Sequence, residues 1–83
     1  MLITPEEVTT REQFASFIEA LRTDLLENES AWENPTLERF LEALASYVQD
    51  IPGYIKNTRS AVDPDVPSWQ LFAVAFHGAR IYE

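Results

Sequence analysis

The feature that most constrains the fold is a helical pattern of apolar residues in the middle of the chain. Residues 32–51 read WENPTLERFLEALASYVQDI, and apolar residues recur there at steps of three and four, which places them on one face of an α-helix. These residues are Leu37, Phe40, Leu41, Leu44, Ala45, Val48 and Ile51. Asn34 and Pro35 are typical of a helix start, and Pro52-Gly53 of a helix end. We therefore expect a helix over residues 35–51.

Two further stretches are predicted to be helical. Thr10 to Gln13 matches the capping-box pattern, and apolar residues follow it at helical spacing, so we expect a helix over residues 10–28. Those apolar residues are Phe14, Phe17, Ile18, Leu21 and Leu25. Ser68 is suited to cap a last helix over residues 68–82. That segment is apolar nearly all round, which indicates burial between neighbouring helices or use in an interface.

Chain length and the helix pattern together predict the fold class. A chain of 83 residues has room for one core, so residues 1–83 are expected to form a single helical domain. We predict an all-α, small three-helix bundle with short extra helical turns at the N-terminus and in the 52–67 loop, the latter around Tyr54 and Ile55. Trp32 is expected to cover one end of the core. The residues predicted to meet at the core's centre are Phe17, Leu21, Phe40, Leu44, Phe72 and Phe76.

Side chains able to carry out chemistry are few. Cysteine is absent, which excludes disulfides, thiolate nucleophiles and cysteine-based zinc sites. His77 is the single histidine, and since no nucleophile or set of metal ligands is recognisable around it, we interpret it as a structural or surface residue. Gly53 and Gly78 form no phosphate-binding loop. We therefore predict that the protein is not an enzyme and has no catalytic residues, no metal site and no cofactor.

The charge balance limits the classes of partner. Fourteen acidic residues against six basic ones give a formal net charge of -8, which disfavours binding to a phosphate backbone. Acids are concentrated between Asp24 and Glu42, where Arg39 is the single counter-charge. The predicted partner-binding residues are Asp24, Glu27, Glu29, Glu33, Glu38, Glu42 and Tyr54. The alternative is that the acids form a solvated helix face that only keeps the protein soluble.

These observations favour a non-enzymatic, acidic protein-interaction module with a basic protein as its partner. Its sharpest form is an immunity-type inhibitor, because a stoichiometric inhibitor needs a folded, charged surface and no catalytic machinery. The alternative is a structural or housekeeping subunit that self-associates as a homodimer through its apolar last helix. No apolar run approaches the about 20 residues of a membrane span, and the N-terminus lacks a signal pattern, so we expect a cytoplasmic protein without membrane contact.

Several short elements of the sequence resemble a family of small bacterial domains of unknown function. In that family WEN introduces a helix rich in Leu and Phe, and a final helix starts with Trp and ends in Tyr-Glu. The matching residues here are Trp32, Glu33, Asn34, Phe40, Leu41, Leu44, Asp50, Gly53, Tyr54, Asn57, Trp69, Phe72, Ala73, Tyr82 and Glu83. The resemblance implies no established activity. A looser likeness, in size, acidity and helix content, is to the immunity proteins that neutralise nuclease bacteriocins, whose adjacent tyrosine pair this chain lacks.

Overall fold

Three α-helices make up the described part of the chain. The computed structural model describes residues 4–58 and 62–83, and at residues 57 and 58 it describes the backbone alone. The helices are α1 (Arg11–Glu27), α2 (Leu37–Thr58) and α3 (Trp69–Ala79). Two 3₁₀ turns, Pro5–Glu7 and Glu29–Ala31, precede α1 and α2. No strand occurs within the described residues, so the predicted all-α fold with three helices and an N-terminal turn is confirmed.

The start of α1 follows the local sequence signal. The Thr10 hydroxyl accepts a hydrogen bond from the backbone N–H of Gln13 at 3.1 Å, which satisfies one of the free donors of the first turn. The Gln13 side chain in turn accepts from the backbone N–H of Thr9 at 2.7 Å. Two polar side chains within five residues therefore define where α1 begins.

The bounds predicted for α2 were wrong at both ends. The helix begins at Leu37, where the Thr36 hydroxyl accepts from the N–H of Arg39 at 3.3 Å, so Thr36 is the cap rather than Asn34. It also continues through Pro52 to Thr58. Proline lacks an N–H and weakens a helix interior, but the helix continues, and Ile51 and Ile55 on either side of Pro52 are both buried in one cluster with residues of α3.

This extension changes the predicted 52–67 loop. Tyr54 and Ile55 belong to α2, so the separate helical turn predicted around them is wrong. The backbone of Asn57 and Thr58 is also helical, whereas residues 59–61 of the predicted loop lie outside the described residues. Beyond them the chain makes a turn in which the N–H of Val66 donates to the carbonyl of Asp63 at 3.2 Å.

Helix α3 lies at the centre of the fold. It packs against α2, α1 and the first 3₁₀ turn, while α1 and α2 make little contact with each other. Its buried residues are Leu71, Ala73, Val74, Ala75 and Ala79. The Ser68 hydroxyl caps it by accepting from the N–H of Leu71 at 3.0 Å. Of the two alternatives that the sequence left open for this helix, burial between neighbouring helices is observed.

The core is divided into two clusters rather than gathered at one centre. On one side of α3 the buried residues are Tyr47, Ile51, Ile55, Val62, Leu71, Val74 and Ala75, with Leu44 packed against them. On the other side they are Val8, Phe17, Leu21, Trp32 and Ala73, with Phe40 and Phe76 half-buried at the margin. Phe72 is 38% exposed. Phe17, Leu21, Phe40 and Phe76 therefore meet as predicted, whereas Leu44 belongs to the other cluster and Phe72 to neither. The core is divided because α3 packs against both α1 and α2, which make little contact with each other.

Candidate functional site

The connection between α1 and α2 is anchored through Trp32. Its ring is buried, and its Nε1–H donates a hydrogen bond to a carboxylate oxygen of Asp24 at 2.8 Å. The guanidinium of Arg80 lies 5.9 Å from the centre of the Trp32 ring and 3.7 Å from the Asp24 carboxylate. The hydrogen bond from Trp32 is the largest cause that lowers the pKa of Asp24, with Asn28 and Arg80 acting in the same direction. The prediction that Trp32 covers an end of the core is confirmed.

Asn34 anchors the same connection to the end of α3. Its buried side-chain amide donates to the carbonyls of Ala79 at 3.0 Å and Tyr82 at 2.8 Å. Its backbone N–H donates to the carbonyl of Arg80 at 3.0 Å. The last carbonyls of a helix have no partner within the helix, so Asn34 satisfies groups at the C-terminus of α3 instead of capping α2.

His77 lies half-buried beside Arg80. Nη2 of Arg80 is 3.0 Å from Nε2 of His77, and Nε of Arg80 donates to the His77 carbonyl at 2.8 Å. A guanidinium has only protons to donate, so Nε2 accepts and the ring is neutral with its proton on Nδ1. Burial and the Arg80 charge lower the pKa of His77, against smaller opposite effects of Glu6 and Asp24. The arrangement explains His77 as a structural residue.

All three tyrosines meet on the far side of α3. The Tyr47 ring lies 5.9 Å from that of Tyr54 and 5.0 Å from that of Tyr82, and it packs directly over Gly78. Burial is the main cause that raises the pKa of Tyr47 to about 12. The Tyr82 hydroxyl donates to the Asp50 carboxylate, which raises the pKa of Tyr82. Because its neighbours cover the Tyr47 ring, we interpret this cluster as an attachment of the chain end to α2.

The structure separates the predicted partner-binding residues into three groups. Asp24 is turned inward, with a side chain 23% exposed and engaged by Trp32 and Arg80. Tyr54 belongs to the tyrosine cluster and follows Glu42 by twelve residues, or about 18 Å along the axis of α2. The other members are exposed on or beside the connection: Glu27, Glu29, Glu33, Glu38 and Glu42. Within residues 4–58 and 62–83, none of these five glutamates forms an ion pair.

An apolar groove opens between α1 and α2 next to these glutamates. Its volume is about 290 Å³, and its apolar lining consists of Ile18, Leu21, Leu25, Trp32, Pro35, Leu37, Phe40 and Phe76. Leu37 is 74% exposed and Ile18 is 39% exposed. Leu41, one turn after Leu37 on the same face of α2, is exposed as well. The two helix faces that the sequence assigned to a core therefore remain partly open to solvent, and we call this surface the α1–α2 groove.

Aromatic rings form the base of the α1–α2 groove. The centre of the Phe40 ring lies 5.9 Å from that of Phe76 and 6.1 Å from that of Trp32. Phe14 extends the row, at 5.5 Å from Phe76. Sequence reasoning missed the groove, although a signal existed: Leu37 and Leu41 widen the apolar stripe of α2 beyond what one neighbouring helix covers.

Among the residues that the structure describes, no three His, Asp or Glu side chains are grouped so that they could hold a metal ion. In the same part of the chain, no helix combines the length and apolar character that crossing a bilayer requires.

Fold and groove together define the chain as a small all-α domain of three helices with an open apolar groove. The chain belongs to the family of unknown function DUF7660, whose family model matches residues 10–83. The resemblance to a family of unknown function is thus confirmed. No curated protein and no solved structure matches the chain.

Proposed function

We propose that this protein is a non-enzymatic interaction module that binds a basic protein partner through the surface of the α1–α2 connection. The observation that carries this proposal is a group of exposed glutamates without ion pairs beside the α1–α2 groove. Those nearest the connection are Glu27, Glu29, Glu33 and Glu38. Clustered charge of one sign attracts a partner of the opposite sign and accelerates association.

The anchoring of the connection supports the same function. Trp32 and Asn34 hold the segment between the helices through hydrogen bonds to Asp24 and to the end of α3. The glutamates at the surface of that segment are therefore presented on a fixed backbone. A pre-organised surface pays less conformational entropy on binding, which favours affinity.

A role as a stoichiometric inhibitor is the sharpest form of this proposal. The engagement of His77 by Arg80 supports a protein without catalytic chemistry, as an immunity-type inhibitor would be. The cytoplasm is the proposed compartment, because the sequence has no cysteine to stabilise it in an oxidising environment. The identity of the gene next to this one tests the inhibitor role, since a toxin-like neighbour is expected.

Co-purification from the native host tests the proposed function. Wild-type protein is compared with a double variant, Glu29→Lys with Glu33→Lys, and with Asp65→Lys, an exposed acid outside the connection. We expect a basic protein that is retained by the wild type and by Asp65→Lys, and that is released by salt or by the double variant. Equal retention by all three proteins, independent of salt, would contradict the proposal.

Self-association through α3 is the second candidate. Its support is that Trp69 and Phe72, at the start of α3, remain 36% and 38% exposed and contact Phe14. Sedimentation equilibrium separates the two candidates: this one predicts a dimer that persists in high salt and dissociates in Phe72→Ser. A monomer at all concentrations rules it out.

A further inference from the structure

We propose that the α1–α2 groove is the docking site for an amphipathic helix of the basic partner, whose apolar face fills the groove while its Lys and Arg residues face the surrounding glutamates. This inference rests on the proposed function and adds the kind of segment that is bound.

The shape of the groove suits a helix. Its two walls are helices that pack on a common support, α3, and make little contact with each other, and both walls carry exposed apolar side chains, Ile18 and Leu37. Grooves of this kind take apolar side chains spaced three and four residues apart along a bound helix. A volume of about 290 Å³ lies at the lower limit for a drug-sized ligand, but it accepts a few apolar side chains of a larger partner.

The groove is also formed before binding. Trp32 at its end is fixed by the hydrogen bond to Asp24, and the Phe40 and Phe76 rings at its base support each other at 5.9 Å. A partner helix would therefore not need to order these rings, which lowers the entropic cost of docking.

Charge complementarity selects a basic helix as the occupant. Glu33 and Glu38 are exposed and directly follow the lining residues Trp32 and Leu37 in the chain, and Glu27 is the last residue of α1. Arg22, the one cation in the lining, is 3.8 Å from Glu19. A second copy of this chain would bring a further net charge of -8 to an acidic surface. A basic segment gains from the same field.

The test uses a synthetic probe rather than an unknown ligand. The probe is a helix-forming peptide of about 16 residues with leucines at alternating third and fourth positions and lysines elsewhere on its surface. One control peptide has the same composition in scrambled order, and the other has glutamate in place of lysine. Binding to wild-type protein is measured by calorimetry.

The matched variants are Leu37→Ala, in the groove, and Val48→Ala, about three turns further along the same helix. Both side chains are more than half exposed, at 74% and 52%, so neither truncation affects the core. We expect Leu37→Ala to weaken binding of the basic peptide about tenfold and Val48→Ala to leave it unchanged. Neither the scrambled nor the acidic peptide should bind.

Several outcomes would overturn the inference. Equal affinity of Leu37→Ala and the wild type for the basic peptide, or binding of the scrambled peptide, would show that the groove is not the binding site. A dimer that Leu37→Ala dissociates would show that a second copy occupies it. The proposed function has its own test, the release of the native partner by the variant Glu29→Lys with Glu33→Lys. If the peptide does not bind in the groove but this variant still releases the partner, the acidic surface binds the partner without a helix in the groove.

Discussion

Two regions meet at the α1–α2 connection and differ in nearly every physical respect. On one side is a closed corner, in which Trp32 donates a hydrogen bond to Asp24, Asp24 pairs with Arg80, and Asn34 donates to the carbonyl at the end of α3. On the other side, the α1–α2 groove is open, apolar and partly exposed. One short segment thus fixes the fold on one side and leaves an exposed surface on the other.

Substitutions in the closed corner and in the groove should therefore affect different properties, the first the stability of the fold and the second the binding of a partner. Loss of a buried hydrogen bond or of close packing in the closed corner should lower the free energy of unfolding directly. Changes to exposed side chains of the groove should alter stability little, because those side chains are already in contact with water.

The largest effect is expected for Phe17, which is fully buried. Phe17→Ala should lower the free energy of unfolding by about 3–5 kcal/mol. Phe40 is half-buried at the base of the groove, so Phe40→Ala should cost about 1–2 kcal/mol. Urea denaturation of both variants measures the difference, and Phe17→Leu provides a graded control if Phe17→Ala is unfolded. Equal losses would mean that the groove is as closed as the core.

The two glycines offer a matched pair. A Cβ at Gly78 would collide with the Tyr47 ring, whereas a Cβ at Gly53 would meet no atom within 4 Å. Gly78→Ala should therefore destabilise the protein by about 1–3 kcal/mol. Gly53→Ala, within α2, should stabilise it by up to about 1 kcal/mol. Thermal denaturation gives both values, and a neutral Gly78→Ala would contradict the close packing of Tyr47 on α3.

Asn34 tests the polar side of the connection. Asn34→Ala leaves the carbonyls of Ala79 and Tyr82 without their donor, and it should cost about 1–3 kcal/mol. Asn34→Asp keeps the size of the side chain but removes the donor, and it should be at least as destabilising. If either variant melts like the wild type in differential scanning calorimetry, these hydrogen bonds do not anchor the connection.

The smallest effect concerns His77 and pH. Its pKa is lowered from an ordinary value of 6.5, so the unfolded chain binds a proton more readily than the folded one. Above pH 6.5, His77 should therefore cause no loss of stability. The free energy of unfolding should decrease as the pH falls from 6.5 towards the lowered pKa of His77 in the folded state. His77→Gln, which can still accept from Arg80, should remove this dependence. Asp24 and Glu7 also have lowered pKa values, from ordinary values of 3.8 and 4.5. The stability that they contribute should therefore be lost only as the pH falls below those values.

The sequence predicts those features of the fold that depend on residues close together in the chain, and it fails where distant residues decide. Thr10 and Ser68 mark helix starts correctly, because a cap bonds to a residue only three positions away. Pro52 misled the prediction, because the helix continues past this local stop signal and packs Ile55 into the cluster with residues of α3. Asn34 misled it as well, since its partners lie more than forty residues further along the chain.

The candidate site was predictable only in part. Exposed glutamates around the connection follow from the charge pattern between α1 and α2. The α1–α2 groove does not, because hydrophobic periodicity shows which face is apolar but not how far two helices diverge on a third. Tyr54 was predicted among the partner-binding residues together with the acids, yet it lies in the tyrosine cluster on the far side of α3.

The two tryptophans serve as internal reporters of whether a helix docks in the α1–α2 groove. Trp32 lines the α1–α2 groove and Trp69 does not. In a ¹⁵N–¹H spectrum each gives one indole N–H signal, which a Trp69→Phe variant assigns. Titration with the basic leucine-striped peptide should shift the Trp32 signal and leave that of Trp69 in place. A shift of the Trp69 signal alone, or of neither, would contradict docking in the groove.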